Sequence, residues 1–346
     1  MRIAVLVPCR NEGRVIARKL RNLLALRWPQ ASAAAPHAVL VVDDGSEDDT
    51  AAQAAAFAPA YADAGILLVV LRNVERPGKV GAMRAGLARC GSGYDLVVLS
   101  DADVVLESQS LTALAQAFEC DPRLGMACAA QRFVVDLADD GSCRSRDLLP
   151  LRDAGGRYDR WTALVRRLES RRGLLFSVHG QCLAWRASLG LLPRDGLAAD
   201  DLDLMLQVRT LGLRVELVPE AVFVEQKTPA GAARDAQALR RARAYVQVVR
   251  RTPAADRTTF ARLQSACYRR LPLSAPALAA ALLLGIPLAC ALAGGATAAL
   301  LALGVELLLV ASGPGWSLAR LLVTIARAMA HERTSTQPDR WEMARA

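Results

Sequence analysis

Five short apolar runs alternate with helical patterns in the first 130 residues. The runs are RIAVLV (2–7), HAVLVV (37–42), ILLVVL (66–71), DLVVLS (95–100) and LGMACAA (124–130). The helical patterns fall at 12–26, 48–57, 77–90 and 108–119. This alternation predicts an α/β fold, a mostly parallel sheet with helices on both faces. Such sheets bind ligands beyond the carboxyl ends of their strands. Here each of the first four runs ends in a polar cluster: PCRNE, DDGS, RNVERPGK and DAD in turn. The site is expected along that edge.

The DAD cluster is the sharpest of the four. Asp101 and Asp103 close a greasy strand, where an uncompensated charge costs on the order of several kcal/mol. Two hard oxygen donors at i and i+2 suit Mg²⁺ or Mn²⁺, which are held by one or two carboxylates plus substrate phosphate oxygens. Lys79, with Arg72 and Arg76, precedes a helix N-terminus, a place that favours anions. The alternative for these cations is a solvated basic loop. DDGS either hydrogen-bonds a base or ribose through Asp43 and Asp44, or caps a helix with solvated acids. In AADDLDLML, Asp200, Asp201 and Asp203 crowd the first turn of a helix that stops at Gly212. Three acids exceed what capping needs, so a general base is expected among them, with plain macrodipole partners as the alternative.

Charge and hydropathy bear on partners. The 43 Lys and Arg against 34 Asp and Glu give a formal net charge of +9, which favours a polyanionic partner. No zinc-finger spacing or RNP-like aromatic box is present, which argues against nucleic acid. The eight cysteines form no CxxC pair and fit free thiols in a reducing cytosol. The N-terminal MRIAVLVPCRNE reads as a first strand, not a signal peptide. From Leu273 to Ser312 the one charged residue is Glu306. That stretch predicts two short membrane spans, 273–292 and 296–312, broken at Gly294–Gly295. It is too continuously apolar for an amphipathic pair in a soluble core. Arg262, Arg269 and Arg270 before it, and Arg320 and Arg327 after it, put both ends at the cytoplasmic face. Segment 316–330 is expected to lie along the interface.

VLVPCRNEGRVI, VVDDGSEDDT, ERPGKVGAMRAGL, VVLSDADVVL, GQCLAWRAS and AADDLDLMLQVRTLGLRV together resemble the ordered motifs of glycosyltransferase family 2, over about residues 1–225. The resemblance implies a GT-A fold, a Rossmann-like nucleotide-diphospho-sugar transferase domain. It implies an inverting transfer from a nucleotide sugar, most often UDP-linked, to a lipid-linked or glycan acceptor, with Mg²⁺ or Mn²⁺. Carried over residue by residue, Pro8, Glu12, Asp43, Asp44 and Lys79 would line the nucleotide pocket. Asp101 would contact ribose or metal, Asp103 would bind the metal, and Asp201 would be the catalytic base.

The chain departs from the family in places. Arg10 stands where many relatives have an aromatic. The segment 225–245 has no Trp after Gln237 and its arginines, where membrane polysaccharide synthases carry Gln-x-x-Arg-Trp; this favours addition of one or very few sugars. Arg240, Arg241 and Arg243 either meet phosphates or anionic lipid, or form a solvated basic helix. His179 and Gly180 sit where the family builds its acceptor pocket, although a lone His such as His179 is more often structural. The polar segment 136–172 is expected to be a loop followed by a helix. The resulting division is a catalytic domain at 1–228, a basic helical connector at 229–271, a hydrophobic hairpin at 272–312 and an amphipathic segment at 313–346. Two rivals are a nucleotidyltransferase, disfavoured by AADDLDLML and the lack of a glycine-rich N-terminal phosphate loop, and a silent binding subunit, disfavoured by the intact carboxylates.

Overall fold

A computed structural model describes residues 1–334 apart from 33, 75, 92, 135–136, 138–150, 227–231 and 254–257. The chain divides into two compact units, one running to Pro229 and one beginning at Ala230.

The first unit is built on one eight-stranded sheet. Its strands are β1 (Ile3–Cys9), β2 (Ala38–Asp43), β3 (Leu67–Arg72), β4 (Leu96–Ser100), β5 (Val105–Leu106), β6 (Leu124–Val134), β7 (Cys182–Arg186) and β8 (Arg214–Gln226). Its helices are α1 (Ile16–Leu24), α2 (Thr50–Ala55), α3 (Ala58–Asp63), α4 (Lys79–Cys90), α5 (Ser110–Cys120), α6 (Leu151–Arg171) and α7 (Asp200–Thr210). The strand order is β3-β2-β1-β4-β7-β6-β8-β5. The five expected strands and four expected helices are present; α2 is shorter than its pattern, and α3 follows it. Of the expected loop and helix at 136–172, the helix is α6, and 136 and 138–150 lie outside the described residues.

Every residue of β1, β2 and β4 is buried. Strands covered by helices on both faces read as continuous apolar runs, which is why the sequence showed them. β3, at the sheet edge, is half-exposed. From β3 to β4 all pairings are parallel. β7 then runs antiparallel to both β4 and β6, and β8 returns parallel to β6. Ser100 at the end of β4 therefore faces Cys182 at the start of β7. The loop that enters β7 is thereby delivered beside the DAD turn.

The polar loop before α4 needs two glycines. Gly78 has φ +110°, which L side chains rarely adopt, and a Cβ on Gly81 would collide with the Arg76 carbonyl. Gly81→Ala is expected to lower stability by about 1–3 kcal/mol, the usual cost of forcing extra volume into a packed site. A thermal melt unchanged from the unaltered protein would contradict the packing of this loop.

The second unit is helical: α8 (Ala232–Arg251), α9 (Thr259–Ser265), a π-helical turn at Ala266–Arg270, α10 (Leu271–Ala311) and α11 (Gly313–Thr334). Thr258 caps α9 by accepting from the Ala261 amide at 3.1 Å. The helical run Thr259–Ala311 is long and apolar enough to cross a membrane, with a mean hydropathy of 2.2 in its most apolar window and none of that window buried. Leu284 and Leu292 are 75% and 82% exposed. The expected break falls at Gly295, where φ 74° and ψ −171° leave the helical region within an otherwise continuous α10. α11 extends beyond the expected 316–330 at both ends. It is tied to α8 by ion pairs Arg320–Asp235 (2.5 Å) and Arg251–Glu332 (2.6 Å).

Candidate active site

The loop leaving β1 is stitched to the loop and helix that follow β2. Asn11 has φ +53°, a left-handed conformation that Asn tolerates better than most residues. Its amide donates to Ser46 Oγ at 2.9 Å, and its Oδ1 accepts from the Glu47 amide at 2.8 Å. The Glu12 amide donates to Thr50 Oγ1 at 2.8 Å and the Gly13 amide to Asp48 Oδ2 at 3.0 Å. Pro8 is buried within β1, paired in register with Val42, and Glu12 is half-buried.

Asp43 and Asp44 are not solvated acids: they are 3% and 4% exposed. Asp43 Oδ1 accepts from the Ser46 amide at 3.1 Å and from the Ser46 hydroxyl. Asp44 accepts from Asn73 Nδ2 at 2.6 Å and from the Gly78 amide at 2.7 Å, with Arg10 Nη1 at 4.0 Å. Asp44 thus fastens the β3–α4 loop and so sets where α4 begins.

Lys79 opens α4, and its ammonium lies 3.0 Å from Asp101 Oδ1 and 3.6 Å from Asp200 Oδ2. Burial works against that charge, but Asp101 and Asp200 outweigh it and hold the ammonium well above the usual lysine range. The Asp101 amide donates to the Gln181 carbonyl at 3.3 Å, joining the DAD turn to the loop before β7. Asp103 is half-buried in the same turn.

The three acids of α7 part ways. Asp203 is fully buried and anchors the preceding loop, accepting from the Arg194 amide at 2.9 Å and from Gln207 Nε2 at 3.0 Å. Asp201 accepts from the Gly180 amide at 3.1 Å and from the Leu202 amide at 2.8 Å. Burial, then repulsion from Asp200, pushes its carboxyl up to about 6. Asp200 is raised too, by burial and by the Asp101 charge, against the pull of the Lys79 ammonium 3.6 Å from its buried Oδ2. A carboxylate poised near neutrality beside a cationic centre can accept a proton from a bound hydroxyl.

Among the described residues, no group of three or more acidic, His or Cys side chains converges on a metal position. The donor set nonetheless fits Mg²⁺ or Mn²⁺. It is all oxygen, it offers two carboxylates from one turn, and a cation already sits against Asp101. Remaining ligands would come from substrate phosphates and water.

The family is decided by its motif model: the one described as glycosyltransferase-like family 2 matches residues 1–244. The chain belongs to that family. The chain is 28% identical over 131 residues to the poly-beta-1,6-N-acetyl-D-glucosamine synthase of Staphylococcus aureus (strain COL), a match covering 38% of this chain and 29% of the synthase. Its fold is similar to the mannosyltransferase PcManGT from Pyrobaculum calidifontis in complex with GDP-Man and Mn²⁺, with a TM-score of 0.69 at 23% identity. That likeness covers 97% of this chain and 88% of the other. It is also similar to S. aureus TarS 1–349 in complex with UDP-GlcNAc, at TM-score 0.50 and 15% identity, over 96% and 92% of the two chains. At these identities the likeness is one of fold, and that fold is GT-A.

Several residues of the glycosyltransferase site escaped the motif reading. Of the three acids at the start of α7, Asp200 is the one whose carboxylate lies 3.6 Å from the Lys79 ammonium. Arg166 of α6 places a guanidinium N–H 2.6 Å from His179 Nε2 and another 3.4 Å from Cys128 Sγ. It lies in a charged stretch with no pattern to single it out. Lys19 was visible only as a lysine inside the apolar stripe of α1, between Ile16 and Leu23.

Proposed function

We propose that this protein is an inverting glycosyltransferase that moves a sugar from a UDP-sugar to a lipid-linked or glycan acceptor at the cytoplasmic face of a membrane. The observation that carries the reading is the Lys79 bridge. One ammonium touches Asp101 at the end of β4 and Asp200 at the start of α7, so the donor-side turn and the base-bearing helix meet at a cation.

Lys79, with Arg76 on the same loop, would hold the donor diphosphate at the start of α4, where backbone amides also favour anions. Asp101 and Asp103 would hold Mg²⁺ or Mn²⁺, which supplies positive charge against the departing diphosphate. Asp201 would take the proton of the acceptor hydroxyl as that oxygen bonds to the anomeric carbon. The bond from that carbon to the phosphate oxygen breaks on the opposite face, and the nucleoside diphosphate leaves. A single displacement of this kind inverts the anomeric centre. Solved neighbours holding GDP-Man with Mn²⁺ and UDP-GlcNAc support a nucleotide-sugar donor and a divalent ion. The apolar run Thr259–Ala311 supports a membrane-held acceptor.

The test is incubation of full-length protein in vesicles with a nucleotide-sugar panel, Mg²⁺ or Mn²⁺ and a native lipid extract. The expected result is nucleoside diphosphate release, with mass spectrometry finding one or a few sugars added per lipid. Pyrophosphate release would indicate nucleotidyl transfer instead. Long polymer would overturn the expected short extension, and unconsumed donor across the panel would favour a silent subunit.

A further inference from the structure

Two polar side chains are buried on one face of α1, three residues apart. Lys19 is 0% exposed and Asn22 is 6% exposed. Both reach the segment that carries the DAD turn. Lys19 Nζ donates to Ser100 Oγ at 2.6 Å and to the Val104 carbonyl at 3.1 Å, so it holds the residue before Asp101 and the residue after Asp103. Asn22 completes the grip on β5: its Nδ2 donates to the Leu106 carbonyl and its Oδ1 accepts from the Leu106 amide, both at 2.8 Å.

A lysine is almost never fully buried unless it is paired, and here, among the described residues, its hydrogen-bond partners are two neutral oxygens. Burial pulls its ammonium down to about 8, with Cys182, Asp101 and Asp103 acting in the opposite direction. Packing α1 on the sheet does not call for such an arrangement, because Ile16, Leu20 and Leu23 already supply a fully buried apolar stripe. What the two polar side chains add is contact with the backbone and hydroxyl of the turn. α1 also grows directly out of the 10–13 loop, the Val15 and Ile16 amides donating to the Glu12 carbonyl at 2.9 and 2.8 Å as the helix starts.

We propose that Lys19 and Asn22 are positioning residues that hold segment 100–106 so that Asp101 and Asp103 present a preformed divalent-ion site, tied through α1 to the 10–13 loop. The proposal rests on the metal role given to those two carboxylates above. Charge and position pull in opposite directions at Lys19. A nearby ammonium repels a bound cation, so removing charge alone would tighten ion binding, whereas releasing both ends of the turn would weaken it. Asn22 is neutral and isolates the positioning effect.

The experiment is calorimetry of Mn²⁺ binding to the full chain with saturating UDP, supported by the electron paramagnetic signal of bound Mn²⁺. Protein that has unfolded irreversibly lowers the calorimetric stoichiometry and leaves the dissociation constant unchanged, and a melt of each variant confirms that it is folded at the titration temperature. Asn22→Leu and Lys19→Met are each expected to raise the Mn²⁺ dissociation constant about tenfold, the effect of roughly 1.4 kcal/mol. Ser100→Ala, which removes one acceptor of Lys19 with little change of volume, should raise it severalfold and keeps the test open should Lys19→Met not fold. Unchanged or tighter Mn²⁺ binding in Asn22→Leu and Ser100→Ala would overturn the proposal while leaving the metal site standing. Absence of Mn²⁺ binding to the unaltered protein would overturn the metal reading and this proposal with it.

Discussion

Asp201→Asn is expected to leave donor affinity within a fewfold of the unaltered protein while transfer falls by about 10²–10⁴, the scale of a general base. Isothermal titration with UDP and Mn²⁺, set beside initial rates, separates the two. An equal loss of donor affinity would place Asp201 in the nucleotide site. The pH dependence should change with it. With its carboxyl raised to about 6, the unaltered enzyme should lose kcat/KM as pH falls through that value, because the protonated acid cannot accept a proton. The asparagine variant should lack this acid limb. Stability runs the other way. Between an unfolded-state value of about 3.9 and the folded value, the native protein binds the proton first, so this carboxyl adds stability as pH falls through 6 and withdraws it as pH rises. A melting-temperature profile comparing the two proteins over that window reads the sign directly.

Asp103→Ala should abolish the metal-dependent part of donor binding, since few protein ligands hold such an ion. Donor affinity measured with Mn²⁺ should fall about tenfold or more, to the value measured with chelator present. Asp203→Ala is the useful contrast. Asp203 accepts from the Arg194 amide and the Gln207 side chain in a fully buried position, so its loss should lower the melting temperature and leave metal dependence intact in the folded protein. Metal-dependent binding that survives Asp103→Ala would remove the DAD turn from the ion site.

The legible parts of the fold were those in which burial on both faces writes itself into the sequence. β1, β2 and β4 are wholly buried, and β2 and β4 are apolar up to their last residues, Asp43 and Ser100. β8 spans thirteen residues but carries Glu216, Glu220 and Glu225 and a Pro219 in its middle, so its apolar residues are split, with only Ala221–Val224 left as a four-residue run. Its register against β6 shifts between Ala129 and Ala130, where Val218 gives way to Val222. β5, two residues long, has no pattern to read. In the site, Lys79 and Asp101 were legible because chemistry-bearing residues cluster at strand ends. The burial of Asp43 and Asp44 was not, since their partners Ser46, Asn73 and Gly78 are set by how loops from different strands fold onto one another. Lys19 meets Ser100 across 81 positions of sequence, a separation no local pattern records.

The reversed direction of β7 has a consequence for how this enzyme can change. The residues placed on the donor side all lie before position 104, and those placed on the base side all lie after 178. The two stretches are joined in the sheet by the pairing of β4 with β7. Because β7 runs backwards, its entry loop arrives at the strand end from the outside, as a separate piece of chain. Side-chain substitutions in that loop can change what surrounds Asp201, while its backbone stays tied to the Asp101 amide through the Gln181 carbonyl. The side chains of the β7 entry loop and those of the β4 turn therefore sit on separate stretches of chain, open to substitution one at a time.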